Sequence, residues 1–212
     1  VAVLHNLPSS IPFTQAVSKI ANINSIIPKP KSINRFSLRD LEQSGIANIG
    51  RQTIIDIVDR VEKPTVFLDI GGFFSEIVNE LDNKLGRNFR GIVEDTENGL
   101  QKYEKMGINF PFVSVARSPL KESEDAMVGQ AITFSAEALL RQHNVLINGL
   151  RVGVIGYGKI GKSVAQNIRQ KQGNVSIHDI DNIRLTHAFS SGLPIFDKDR
   201  ILRESDAICL AT

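Results

Sequence analysis

The sequence predicts an α/β protein of two doubly wound parallel-sheet units, residues 1–120 and 121–212. Three observations predict it. Short β-branched runs alternate with helical patterns from end to end, the rhythm of parallel strands joined by crossover helices. The chain is 42% hydrophobic and 23% charged, which suits packed cores and not a disordered segment. A glycine-rich turn at 156–161 stands between an apolar strand and an amphipathic helix.

The elements follow in order. "VAVLH" (1–5) reads as a strand and "FTQAVSKIA" as a helix. "INSIIPKP" reads as a strand that Pro28 ends, because proline cannot donate to a ladder. "RQTIIDIVDRVE" places Ile54, Ile55, Val58 and Val61 on one helical face. "TVFLDIGG" is an apolar strand stopped by two glycines. In "FFSEIVNELDNKLG", Phe74, Ile77, Val78, Leu81 and Leu85 form one stripe, with Gly86 just past the helix end. "FRGIVED", "TENGLQKYEKM" and "FPFVSVA" continue as strand, helix, strand. A long helical pattern then carries Met127, Ala131, Phe134, Ala138 and Leu139. Beyond it the spacing predicts strands at 150–156, 174–179, 194–196 and 206–211, with helices at 159–171, 181–190 and 197–204.

Bulk properties exclude several classes. The net charge is +2 and spread along the chain, so no nucleic-acid stripe stands out. No apolar run approaches the roughly 18 to 20 residues a membrane helix needs. The start lacks the basic and apolar regions of a signal peptide. The single cysteine, Cys209, lies in the apolar run "AICLAT" and is expected to be a buried core thiol in a reducing, cytoplasmic setting. No Cys/His cluster has metal spacing, so no metal site is expected. His143, His178 and His187 read as surface or strand-end residues. Val1 and the abrupt end at Thr212 read as cut ends, with the second sheet incomplete.

Gly156, Gly158 and Gly161 form G-x-G-x-x-G, with Lys159 and Ile160 between the last two. Gly156 allows the tight turn. Gly158 lets a pyrophosphate approach the backbone, and Gly161 lets helix and strand pack closely. The helix N-terminus offers N–H groups and a positive dipole end to phosphates. Asp179 closes the next strand, where an acid takes ribose hydroxyls. This is a Rossmann-type cofactor turn, and the acid favours NAD. Arg184 nearby keeps NADP open.

Taken in order, "VLHNL", "FLDIGG", "GIVEDTENGLQKYEKMG", "FPFVSVARSPLKESEDAMVG" and the glycine turn resemble segments of the S-adenosylhomocysteine hydrolase family. The resemblance implies NAD that stays bound and oxidises a nucleoside ribose at its 3′-hydroxyl, followed by reversible elimination of a thiol. It implies that Lys121 takes the hydroxyl proton and that Asp125 holds the hydroxyl and the lysine. It places Asp95 on the ribose hydroxyls, His5 near the 5′ side, and Thr96 and Asn98 toward the nicotinamide end. It also implies a homo-oligomer.

Departures from the family pattern accompany the match. Ile70 stands where the family has an acid expected to help proton transfer at the ribose carbon. Phe73 replaces an Asp after Gly-Gly, and Ala116 and Ala126 replace asparagines. Gln130 replaces a cysteine, and Arg184 replaces an asparagine that contacts the cofactor ribose. The pattern for ribose oxidation survives and the pattern for elimination is damaged. Two other readings stay open: an NAD- or nucleoside-binding regulator without catalysis, and a D-2-hydroxyacid-type dehydrogenase.

Overall fold

Parallel strands with helical crossovers build both sheets of the computed structural model, which describes residues 1–48, 57–59 and 61–211. The chain divides into two compact units, Val1–Ser118 and Pro119–Thr212.

The first unit contains strands β1 (Ala2–Asn6), β2 (Ser25–Ile33), β3 (Ala47–Asn48), β4 (Thr65–Asp69), β5 (Phe89–Glu94) and β6 (Phe112–Ser114). Their order is β3-β2-β1-β4-β5-β6, and every pairing is parallel. The chain leaves β1 toward β2 and later returns to β4 on β1's other side. Connections at β1 and β4 therefore diverge, which opens a crevice at the carboxyl ends of these two strands.

Helices cover both faces. On one, Ile11 of α1 (Ser10–Val17) and Leu41 of α2 (Arg35–Gln43) pack with Ala2, Leu4 and Ile26. On the other, Val78, Leu81 and Leu85 of α3 (Val78–Leu85) and Tyr103 of α4 (Glu97–Met106) pack with Val3, Phe67 and Ile92. Phe67 meets Phe74 edge-on at 5.2 Å between centroids. Leu81, Phe67 and Ile92 are essentially inaccessible; burying each such side chain contributes about 1.5–3 kcal/mol. The 73–86 stripe does place Phe74, Val78, Leu81 and Leu85 in the core. Ile54 and Ile55 lie outside the described residues.

β2 corrects one expectation: it does not stop at Pro28 but runs to Ile33. Among the described residues, β3 pairs with Ser25 and Ile26 alone, so beyond Ile26 that side of β2 has no described partner strand. A missing proline N–H costs nothing at an edge.

The second unit begins with α5 (Pro119–Gln142). Strands β7 (Arg151–Ile155), β8 (Asn174–His178) and β9 (Ala207–Leu210) pair in parallel in the order β8-β7-β9. The run at 194–196 makes a single bridge, Ile195 to Ile177. Helices α6 (Lys159–Gln170), α7 (Asn182–Ser190) and α8 (Lys198–Glu204) flank the strands. Val154, Val164, Ile168, Ile177 and Ala188 form the core.

Two side-chain settings are less enclosed than their sequence implies. Cys209 is half-buried, not buried, and packs against the core of the second unit from β9. On α5, Met127, Phe134 and Leu139 are exposed, while the buried positions are Gly129 and Thr133. Among the described residues, no helix is long and apolar enough to cross a membrane.

Candidate functional site

In the first unit, the crevice residues come from several strand ends. His5 lies near the end of β1, and its Nδ1 is 2.8 Å from the Ser32 hydroxyl of β2. Burial holds the His5 imidazole below its ordinary value, and the Lys29 ammonium pushes the same way while Asp95 opposes it. His5, Lys29 and Asp95 therefore share one electrostatic neighbourhood.

The Gly71–Gly72 turn follows β4 with backbone φ of +92° and +67°, a region that favours glycine. Glu94, fully buried at the end of β5, holds this turn from below. It accepts from the N–H of Gly71 and of Gly72, each at 2.9 Å, and from the N–H and hydroxyl of Thr96 at 2.7 Å. Gly99 is required beside it, since a Cβ there would lie 2.1 Å from the Glu94 carboxyl carbon. From outside, Lys29 Nζ donates to the Ile70 carbonyl at 3.0 Å and Lys102 Nζ to the Gly71 carbonyl at 2.8 Å.

Asp69, also buried, organises the next residues. It accepts from the N–H of Phe73 and Phe74 and from the Tyr103 hydroxyl at 2.5 Å. Burial raises the Asp69 carboxyl above the ordinary carboxylate range, against the pull of these donors. Burial, then the Asp69 charge, pushes the Tyr103 hydroxyl far up.

Thr96 caps α4: its hydroxyl accepts from the Gly99 N–H at 3.1 Å. Asn98 is exposed in the first turn of that helix. Sequence reasoning singled out Asp95, Thr96 and Asn98 in this segment and missed Glu94, the acid that orders the turn. Strand alternation was the available signal. Glu94 is the last strand residue and faces the turn, so Asp95 falls outside the pleat.

In the second unit, α5 and α6 cross closely. A Cβ on Gly129 would lie 2.3 Å from the Ser163 hydroxyl, and that hydroxyl donates to the Ala126 carbonyl at 2.8 Å. This contact brings the start of α5 to the cofactor turn. Asp125 Oδ2 lies 3.8 Å from Lys159 Nζ, and Lys121 Nζ donates to Glu124 Oε2 at 2.7 Å.

The glycine turn fits a dinucleotide by its own geometry. A Cβ on Gly161 would lie 1.9 Å from the Gly156 carbonyl oxygen, so helix and turn touch there. A Cβ on Gly158 would meet nothing nearer than 3.6 Å, which leaves the approach open. Gly156 has φ +98°, and its N–H donates to the His178 carbonyl at 2.7 Å. No side chain caps the N-terminus of α6, where Lys159 and Ile160 begin the helix. Helix N–H groups and dipole there suit phosphates.

Asp179 is buried at the end of β8. Its carboxylate accepts from the Tyr157 N–H at 2.5 Å and the Asp181 N–H at 2.8 Å. Burial pushes Asp179 up, but these N–H groups and Arg184 together hold it below its ordinary value. The stabilisation this provides is complete above the ordinary carboxylate range. It is lost only as pH falls through the depressed folded value.

Comparison with known proteins agrees with this geometry. Residues 133–212 match the family described as S-adenosyl-L-homocysteine hydrolase, NAD binding domain. An adenosylhomocysteinase of Thermoplasma acidophilum is 28% identical over 154 residues, covering 71% of this chain and 37% of that protein. The chain is S-adenosylhomocysteine-hydrolase-like. Residues 133–212 of its second unit are similar to the NAD-binding domain of that family, and the cofactor this match supports is NAD.

An S-inosyl-L-homocysteine hydrolase of Methanopyrus kandleri is 27% identical, covering 73% of this chain and 38% of that protein. The chain thus spans less than two-fifths of the length of these curated relatives. Among solved structures, a D-3-phosphoglycerate dehydrogenase-like oxidoreductase from Ralstonia solanacearum aligns at TM-score 0.58 and 15% identity. It covers 100% of this chain and 64% of that one. A dipicolinate synthase chain from Bacillus halodurans aligns at TM-score 0.56 and 14% identity, covering 100% of this chain and 73% of that one. At such identity these two structures speak for the fold alone.

Proposed function

We propose that this protein uses bound NAD to oxidise the ribose of an adenosine-type nucleoside thioether, in a reversible hydrolysis of the S-adenosylhomocysteine hydrolase kind. The observation that carries the proposal is the Asp125–Lys159 approach of 3.8 Å, which ties the Lys-x-x-x-Asp segment to the cofactor turn. A dinucleotide at a Rossmann turn needs a substrate-handling pair at its reactive end, and α5 supplies acid and amine within one helical turn.

Bound NAD supplies hydride acceptance and return. In this reading Lys121 takes the 3′-hydroxyl proton after leaving Glu124, and Asp125 orients that hydroxyl. A positioned base of this kind contributes about 10²–10⁴-fold to rate. Asp95 and His5, on the first unit, bind the ribose hydroxyls and the 5′ side. Gly156, Gly158, Lys159, Ile160 and Gly161 hold the pyrophosphate, and Asp179 takes the cofactor ribose. Thr96 and Asn98 serve the nicotinamide end. Incubating the full-length protein with adenosine is expected to produce NADH absorbance. Its absence from NAD-loaded protein refutes the oxidation step.

A regulator without catalysis is the second reading. Ile70 favours it, because its side chain cannot transfer a proton and its carbonyl is held by Lys29. Lys121→Ala separates the two. Loss of NADH formation with binding retained supports the enzyme, whereas no activity to lose supports the regulator. In either reading a homo-oligomer is expected, with the exposed Met127, Phe134 and Leu139 of α5 as the surface a second copy would cover. Sedimentation of a Phe134→Glu variant tests that surface.

A further inference from the structure

Arg184 lies in the first turn of α7 and reaches back over the glycine turn. Its Nη1 is 3.6 Å from Asp179 Oδ2, and its Nε is 3.7 Å from Asp181 Oδ2. The same Nη1 is the nearest atom to a Cβ built on Gly158. A guanidinium therefore stands between two carboxylates and beside the glycine that leaves room for a dinucleotide.

The two partners differ in freedom. Asp179 is buried and bound to two backbone N–H groups, so its position is set by the fold. Arg184 has about half of its side chain exposed, and both of its carboxylate contacts are longer than ordinary hydrogen bonds. It can turn toward an anion without breaking a tight bond.

An acid alone at this strand end repels a 2′-phosphate, whereas an arginine there accepts one through its planar donor fork. Here both are present, and Arg184 offsets the Asp179 charge at 3.6 Å. We propose that Arg184 lets the adenosine-ribose end of this site accept a 2′-phosphate, so that the second unit binds NADP as well as NAD. The inference rests on the second unit binding a nicotinamide dinucleotide at this turn.

Calorimetric titration of the full-length protein, cleared of bound cofactor, with NAD and NADP tests it. The wild type is expected to bind the two within about tenfold of each other. Arg184→Asn is expected to weaken NADP by about tenfold or more and leave NAD within about threefold. Arg184→Lys should restore part of the NADP affinity, because it keeps the charge and loses the fork. A wild type that binds NAD but discriminates against NADP by more than about 100-fold overturns the proposal. So does an Arg184→Asn variant that weakens both cofactors equally. Absence of binding for both cofactors overturns the NAD-site reading itself. A thermal melt of the cofactor-cleared variants, expected to match wild type, separates lost recognition from lost fold.

Discussion

The two glycine turns of this molecule follow the same kind of strand and end differently. At Gly71–Gly72 the fold consumes the backbone groups: Glu94 takes both N–H groups, and Lys29 and Lys102 take the neighbouring carbonyls. At Gly156–Gly161 the packing side is closed, by Gly161 against Gly156, while a Cβ on Gly158 would meet just the flexible Arg184 guanidinium at 3.6 Å and no side chain caps the helix. A glycine turn whose groups are satisfied internally is an architectural joint. One that presents helix N–H groups without a side-chain cap is an anion site. The difference lies in where the nearest carboxylate sits. Glu94 lies under the first turn, whereas Asp179 lies beside the second and binds only its flank at Tyr157.

Substitutions can break this contrast, with the largest effect at Gly161. Gly161→Ala puts a methyl 1.9 Å from a carbonyl oxygen. It is expected to destabilise the second unit by more than about 3 kcal/mol, read by denaturant unfolding. Gly158→Ala should leave that unfolding curve unchanged and weaken NAD by about tenfold or more, read by titration. In the first unit, Glu94→Gln replaces one acceptor oxygen with a donor amide facing N–H groups. A loss of about 2–3 kcal/mol is expected, and a smaller loss than at Gly161 is the signature of a turn that can adjust.

Tyr103→Phe removes one donor to Asp69 and should cost about 1.5 kcal/mol. Its sign with pH is specific. Removing that donor raises the Asp69 carboxyl further above its ordinary value, so the destabilisation grows as pH rises through the folded value. The smallest effect sharpens the crevice itself. Lys29→Met should move the His5 titration upward, because the ammonium that disfavours the imidazolium is gone. Histidine ring resonances followed against pH measure it, and an unchanged titration would separate Lys29 from His5.

Much of the second unit could be read directly. Spacing alone placed Gly156, Gly158 and Gly161, the helix behind them, and Asp179 at the next strand end, because each role is local to one strand-turn-helix unit. The first unit was less legible. Asp95 drew attention as the acid of a motif, yet its neighbour Glu94 orders the turn, and that depends on a pairing between β4 and β5. Pro28 looked like a strand end because nothing in its neighbourhood tells an edge from a ladder. Met127, Phe134 and Leu139 share a helical stripe, but periodicity cannot say that Gly129 and Thr133 are the face turned to the core.

Local physics, then, came from the chain itself: alternating strands and helices, the conformations only glycine tolerates, caps such as Thr96 and Asp181, and the cofactor turn. Those depend on residues within a few positions of one another. Tertiary structure alone decided which carboxylate meets which N–H. Glu94 reaches the Gly71–Gly72 turn across 22 and 23 positions, Asp69 meets Tyr103 across 34, and Asp179 meets Tyr157 across 22. Such contacts follow from strand order and register, which no short window of sequence contains.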